Sequence, residues 1–313
     1  MITGTLAIHS ELEAKLATFK QTQAALTFES GYAAALGTIP ALFGQGDVII
    51  LDKLAHASLI DGARLSGAEI RVYPHNRLER LSELLDWARD KRRGAKILII
   101  TESIFSMDGG SCSLPEIVNL KDEFGASLLL DEAHAIGVLG PNGAGLAAEC
   151  GLIDRVEVHL GTLSKAIGSS GGFIAGPSSL IDLLINRART FIYSTAPPPA
   201  AIAAAIEGLA IIASGTGDQL RAALWRNHEE LTVKLKHSKP EGARSAIVPI
   251  IVGSEGQALS LSEELVEHGF LVPAVRFPTV PRGSARLRVT LSAAHQLQDV
   301  VNLREAINTL HAG

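Results

Sequence analysis

Cysteine, long apolar runs and an excess of charge of either sign are all missing from this chain of 313 residues. The only two cysteines, Cys112 and Cys150, lie far apart. That excludes a disulfide scaffold and lacks the paired spacing of a zinc or redox motif, so both read as ordinary buried thiols of a reducing compartment. Lys and Arg number 28 against 33 Asp and Glu, a net charge of −5. Such a balance gives no whole-chain attraction to nucleic acid or to an anionic membrane. The longest apolar stretch, Ala200 to Ala213, is Ala-rich, broken by Glu207 and shorter than the ~20 residues that span a bilayer. The first residues, Met1 to Thr5, lack the charged and apolar regions of a secretory signal, and a cytoplasmic enzyme is the expectation.

What is present is 47% apolar and 19% charged residues, enough for a large core in one or two domains. Ser10-Glu11-Leu12-Glu13 has the form of a capping box, with Leu12, Leu16 and Phe19 on one helical face, which predicts a helix within a dozen residues of Met1. Strand-like runs follow at Val48 to Leu51, Ile70 to Tyr73, Ile97 to Thr101, Leu128 to Leu130 and Val156 to Leu160. Helical patterns separate them, such as Leu78, Leu81, Leu85 and Ala88, and Pro115 suits the first turn of another helix. This alternation predicts an α/β fold with a mostly parallel sheet covered by helices. After Pro197-Pro198-Pro199 the texture changes to an Ala-rich helix, a polar helix near Gln219 to Lys236, and strands at Ala246 to Val252 and Arg286 to Leu291. A large domain over 1–210 and a smaller α+β domain over 211–313 are expected.

In open α/β sheets, ligands gather at the carboxyl ends of the strands. There the run Ser127 to Leu130 delivers Asp131-Glu132-Ala133-His134. Taken alone, those four residues admit a metal site, a magnesium-dependent nucleotidase, a pyridoxal phosphate site or a plain structural turn. The metal reading lacks a third and fourth ligand at telling spacing, and no metal is expected. The nucleotidase needs a phosphate loop ending in Gly-Lys, a dipeptide absent from the sequence. Pyridoxal phosphate makes a demand that can be checked: a carboxylate for the pyridine nitrogen and a lysine for a Schiff base on a later strand. The next strand run leads into Gly161-Thr162-Leu163-Ser164-Lys165-Ala166, with Gly168, Gly171 and Gly172 beyond. Lys165 thus stands at a strand exit among hydroxyls and glycines that admit a phosphate closely.

Asp131 to Gly137 followed by Gly161 to Ala166 resembles the α-oxoamine synthases, fold-type I pyridoxal phosphate enzymes, and the resemblance runs from about Thr3 to the C-terminus. It implies that Lys165 carries the cofactor as a Schiff base and that Asp131 faces the ring nitrogen. Ser30-Gly31-Tyr32 resembles the phosphate-binding turn, so Gly31 and Tyr32 are candidates, with Thr162 adding a hydroxyl. Asp52 to Ser58 resembles the segment whose histidine stacks on the ring, which selects His56. Glu102 to Gly109 also matches, and by resemblance Ser106 and His134 contact the ring's substituents. Phe277 to Gly283 and Arg286 to Leu291 resemble the substrate segments, implicating Thr279 and, for the amino-acid carboxylate, Arg288; Arg286 reads as structural. Tyr193-Ser194-Thr195 resembles a segment that reaches a neighbouring subunit's phosphate, implying a homodimer with shared active sites.

The implied activity is decarboxylative condensation of an amino acid with an acyl-CoA or acyl-carrier-protein thioester. Ser164 before Lys165, and Val289 to His295, resemble the branch that joins L-alanine to a pimeloyl thioester more than the glycine-using branches, glycine C-acetyltransferase and 5-aminolevulinate synthase; these, with serine palmitoyltransferase, are the alternatives within the family. Family members also carry an N-terminal segment upstream of the first matched residues, including an arginine implicated in substrate binding. By resemblance, therefore, the first domain is expected to be N-terminally truncated: a short form, a misassigned start or a shortened chain. A partner subunit that keeps the fold without activity is the alternative, which the presence of Lys165 disfavours.

Overall fold

The computed structural model describes residues 4–233, 235 and 244–310, so Met1 to Thr3 and Lys236, named above, lie outside the described residues. The chain divides into two compact units. One comprises the residues through Ile104 together with Cys112–Ser214, the other Phe105–Ser111 with the residues from Gly215 onward. A division by sequence near 211 has no counterpart for 105–111, which cluster with the later unit.

The first unit is built on seven strands: β1 (Ala24–Phe28), β2 (Val48–Asp52), β3 (Glu69–Tyr73), β4 (Ile97–Glu102), β5 (Ser127–Asp131), β6 (Val158–Thr162) and β7 (Gly172–Gly176). Their order is β1-β7-β6-β5-β4-β2-β3. The five strands from β3 to β6 run parallel, while β7 is antiparallel to both β6 and β1. The parallel strands β2 and β4 are buried along their whole length. Their unbroken Val, Ile and Leu runs are what a strand covered on both faces requires. Nine helices among the described residues complete this unit: α1 (Ala7–Phe19), α2 (Gly31–Leu42), α3 (Ala57–Ser66), α4 (Leu78–Lys91), α5 (Leu114–Phe124), α6 (Leu146–Glu149), α7 (Ser178–Arg187), α8 (Arg189–Ile192) and α9 (Pro199–Ile212). Leu59, Ala35 and Leu184 from α3, α2 and α7 pack with Ile49, Leu98, Leu129 and Leu160 on one face. On the other, Leu12 and Leu16 of α1 meet Ile202 and Leu209 of α9 over Phe173 and Ala175.

The expected strands of this unit all form; one strand and one helix are shifted. The last runs from Val158 rather than Val156, because a short 3-10 turn occupies Ile153–Arg155; the offset puts Thr162 at the strand tip. Helix α1 begins at Ala7, three residues ahead of the Ser10 cap, and the Leu6 amide donates to His9 Nδ1 at 3.1 Å instead. Of the two thiols read as buried, Cys150 is only half-buried, because it follows the single-turn α6 near the surface.

The second unit holds α10 (Gly215–Thr232), α11 (Glu255–Glu267) and α12 (Leu297–Leu310) with a three-stranded antiparallel sheet, β8 (Ile247–Gly253), β9 (Ala274–Val275) and β10 (Ala285–Thr290), in the order β8-β10-β9. No single helix among the described residues is long and apolar enough to cross a membrane.

Candidate active site

Parallel strands β4, β5 and β6 deliver Glu102, Asp131 and Thr162 to one edge of the sheet. Glu102 and Asp131 are register partners, and equal register in a parallel pair puts both side chains on the same face. Asp131 is buried, and its Oδ1 accepts the Ala133 amide at 2.9 Å. Its main-chain oxygen takes both the amide and the hydroxyl of Ser103, at 2.8 and 3.0 Å, which ties the tip of β5 to that of β4.

Lys165 leaves β6 three residues after Thr162 and is exposed. Its ammonium is close enough to lower the pKa values of both Asp131 and Glu102, and His56 also favours the charged form of Asp131. Burial acts the other way and prevails in each case. Asp131 is raised, chiefly by burial; Glu102 is raised well above the ordinary carboxylate range by burial and then by Asp131 itself. Two carboxyls this close do not both ionise easily, and of the two it is Asp131 that also accepts a main-chain amide, from Ala133.

His56 is the N-cap of α3. Its Nδ1 accepts the Ser58 amide at 3.2 Å and lies 2.7 Å from Ser58 Oγ, while its own backbone amide donates to Glu102 Oε1 at 2.6 Å. The ring is therefore held at the start of a helix with its exposed face free to stack. Glu102 and Ser58 had no role in the sequence reading. The signal for Glu102 was its place at a strand end, but its importance depends on β4 lying beside β5, and strand order is not written locally.

Helix α2 opens at Gly31. Ser30 caps it, Oγ accepting the Ala33 amide at 3.0 Å and its carbonyl the Ala34 amide. The two first-turn amides that this cap does not use are those of Gly31 and Tyr32, aimed out of the helix end where anions bind. A Cβ on Gly31 would lie 3.6 Å from Thr162 Cβ, and one on Gly172 would lie 2.4 Å from the Gly31 nitrogen. Helix mouth, strand tip and β7 thus meet closely, in ordinary contact at Gly31 and with no space for a side chain at Gly172. Thr162 Oγ1 donates to the Gly171 carbonyl at 3.0 Å and lies 2.8 Å from Ser164 Oγ. The side chain of Tyr32 turns aside to donate to Asp61 Oδ2 at 2.8 Å, so its backbone is the part available to an anion. His134 is half-buried in the turn after β5.

This donor set suits pyridoxal phosphate. It offers an accessible amine, a buried acid at the neighbouring strand tip, an exposed histidine and a helix N-terminus lined by glycine and threonine.

Ser106, Thr279 and Arg288 belong to the second unit. Ser106 lies in the 105–111 loop, where its carbonyl accepts Arg288 Nε at 2.6 Å; Arg288 also donates to Thr290 Oγ1 at 2.7 Å. Arg286 is buried and paired with Asp108. Gly109 adopts φ +64°, and a Cβ there would meet the Ile247 carbonyl at 2.2 Å. The loop is thus fastened to β8 and β10, so Ser106 and Arg288 come together. Thr279 is exposed, and its amide donates to the Arg276 carbonyl at 3.0 Å; no bond joins it to Arg288. Tyr193, Ser194 and Thr195 are exposed just after α8.

The family model described as aminotransferase class I and II matches residues 1–307. The chain is 43% identical over 309 residues to the 8-amino-7-oxononanoate synthase of Geotalea daltonii, spanning 98% of this chain and 78% of the relative. It is 46% identical over 302 residues to that of Anaeromyxobacter dehalogenans strain 2CP-1, spanning 96% and 74%. Among solved structures, a serine palmitoyltransferase from S. paucimobilis with bound PLP-myriocin aldimine superposes with a TM-score of 0.92 at 31% identity, covering 100% of this chain and 79% of the other. The 8-amino-7-oxononanoate synthase of Francisella tularensis does so with 0.83 at 28%, covering 99% and 88%. By sequence and by fold alike, the chain belongs to the aminotransferase class I and II family, in its α-oxoamine synthase branch.

Proposed function

We propose that this chain joins an amino acid to an acyl thioester with loss of carbon dioxide, and that its substrates are L-alanine and a pimeloyl thioester, giving 8-amino-7-oxononanoate for biotin biosynthesis. The observation that carries the reading is the placement of an exposed Lys165 just beyond β6 and a buried Asp131 at the tip of the neighbouring strand β5. When bound, pyridoxal phosphate supplies an electrophilic aldehyde and a protonated ring that accepts the electron pair left by a broken bond at the α-carbon. Lys165 would be the amine that holds that aldehyde, and its amine would also be the base for the α-proton of the amino acid. Asp131 would hold the proton on the ring nitrogen, His56 would stack on the ring, and His134 and Ser106 would bond its substituents. The Gly31 and Tyr32 amides and the Thr162 hydroxyl would bind the phosphate. Arg288 orients the amino-acid carboxylate and Thr279 contacts the substrate. Overall, the α-carbon gains the acyl carbon and loses its carboxylate as carbon dioxide, and the thioester leaves as thiol, taking up a proton. We assign the chain to the cytoplasm, as a homodimer in which Tyr193 to Thr195 reach the partner's phosphate.

Two measurements test this. Protein mixed with pyridoxal phosphate develops a visible absorption band that Lys165→Ala abolishes; a band unchanged in the variant overturns the role of Lys165. Thiol release from pimeloyl thioesters, carried by CoA or by carrier protein, is faster with alanine than with glycine or serine. Preference for glycine with an acetyl thioester, or for serine with a long-chain one, moves the chain to another member of the branch.

A further inference from the structure

Behind β5 lies a second charged cluster that the reaction does not use. Strand alternation turns Glu132 away from the face presented by Asp131, and there it is fully buried together with Lys20, just past α1, and His159 in β6, each at most 1% exposed. Lys20 Nζ bonds Glu132 Oε2 at 2.5 Å and also donates to the Ala144 carbonyl. His159 Nδ1 lies 3.2 Å from the same carboxylate oxygen, and its Nε2 lies 3.1 Å from the Ile153 carbonyl. Oε1 accepts the Ala147 amide at 3.1 Å, and Gly145, at φ +107°, stands where a Cβ would be 2.3 Å from it. The chain from Ala144 to Ala147 is wrapped around this one carboxylate.

A buried ion pair is a poor source of net stability compared with apolar packing, so its value lies in where it holds the chain. The main chain of Glu132 bridges the two catalytic candidates on either side. Its amide donates to the Leu160 carbonyl at 2.9 Å, and its own carbonyl accepts the amides of Ala135 and Ile136, closing the turn that carries His134.

We propose that the Lys20, Glu132 and His159 cluster positions the 131–134 turn, fixing Asp131 and His134 for the cofactor ring from the opposite side of the sheet. This inference rests on the pyridoxal phosphate reading above. The members of the cluster are positioning residues, not catalytic ones.

The test compares full-length wild type, Lys20→Met and the neutral double variant Lys20→Met with Glu132→Gln. Thermal midpoints are read without cofactor; cofactor affinity, and the pH midpoint of the Lys165-dependent visible band, are read with pyridoxal phosphate. The single variant, left with an uncompensated buried charge, melts well below wild type. The double variant regains most of that loss, yet binds pyridoxal phosphate at least about tenfold more weakly and shifts the band's pH midpoint, because a turn held less firmly misplaces the anion. A double variant with wild-type affinity and wild-type band, or one that melts as low as the single variant, overturns the proposal. A wild type without any Lys165-dependent band fails differently: it removes the cofactor reading itself.

Discussion

Asp131 and Glu132 are adjacent in the chain and equally buried, yet their carboxyls are held in opposite senses. Burial raises the pKa of Asp131, and one amide with the more distant Lys165 and His56 does not offset it. Burial also pushes the pKa of Glu132 up, but Lys20 and His159 overcome it and bring the pKa down to about 2. Partners, not depth, decide the sign. One side of the strand tip is electrostatically complete. The other is short of a cation, which is the condition a site should be in before it receives a protonated heterocycle.

The sharpest way to break this contrast is to unbalance the completed side. Lys20→Met should lower folding stability by roughly 3–5 kcal/mol, read by denaturant titration, since it strands a buried carboxylate; a loss below 1 kcal/mol would mean that water reaches the cluster. Next, Asp131→Asn should cut kcat about a hundredfold or more while leaving the thermal midpoint equal to or above that of wild type, because it relieves an undercompensated charge. A large fall in midpoint would put Asp131 on the same footing as Glu132.

Acid titration separates the two sides by slope. With its pKa depressed to about 2, Glu132 adds stability that is full above its ordinary range near 4.5 and lost as pH falls toward 2. The gap between wild type and Lys20→Met should therefore close across that window, a change of about 3 kcal/mol. Glu102 runs the other way. Its pKa is raised, so the native state keeps a proton that the unfolded chain releases, and stability falls as pH climbs from 4.5 toward the raised value. Glu102→Gln should then gain on wild type as pH increases, by at most about 1.4 kcal/mol per unit. A gain independent of pH would show that Glu102 is ionised throughout. The smallest effect is expected for Ser58→Ala, about 1 kcal/mol, read as a modest rise in KM for the amino acid as the His56 ring loosens.

Much of this was legible in the residues. Strands β2, β4 and β5 announce themselves as Val, Ile and Leu runs, and the acid and the lysine stand at strand exits. Strands β1 and β7 were not legible: Ala24 to Phe28 and Gly172 to Gly176 are short and rich in Ala and Gly, and only their antiparallel pairing makes strands of them. The Lys20 and Glu132 pair joins positions 112 residues apart, and nothing local marks Lys20, placed just past a helix end, as different from a solvated lysine. The 105–111 loop could be recognised by motif, but its attachment through Arg288, Arg286 and Gly109 is purely tertiary.

The crowding at Gly172 has a consequence for how this protein can vary. That residue binds nothing, yet a single added methyl there would push the opening of α2 outward and splay the amides that await an anion. The aperture of the proposed phosphate cradle is set by an atom the chain does without, and Gly172→Ala is a substitution by which grip on the cofactor would be lost with every proposed contacting residue intact.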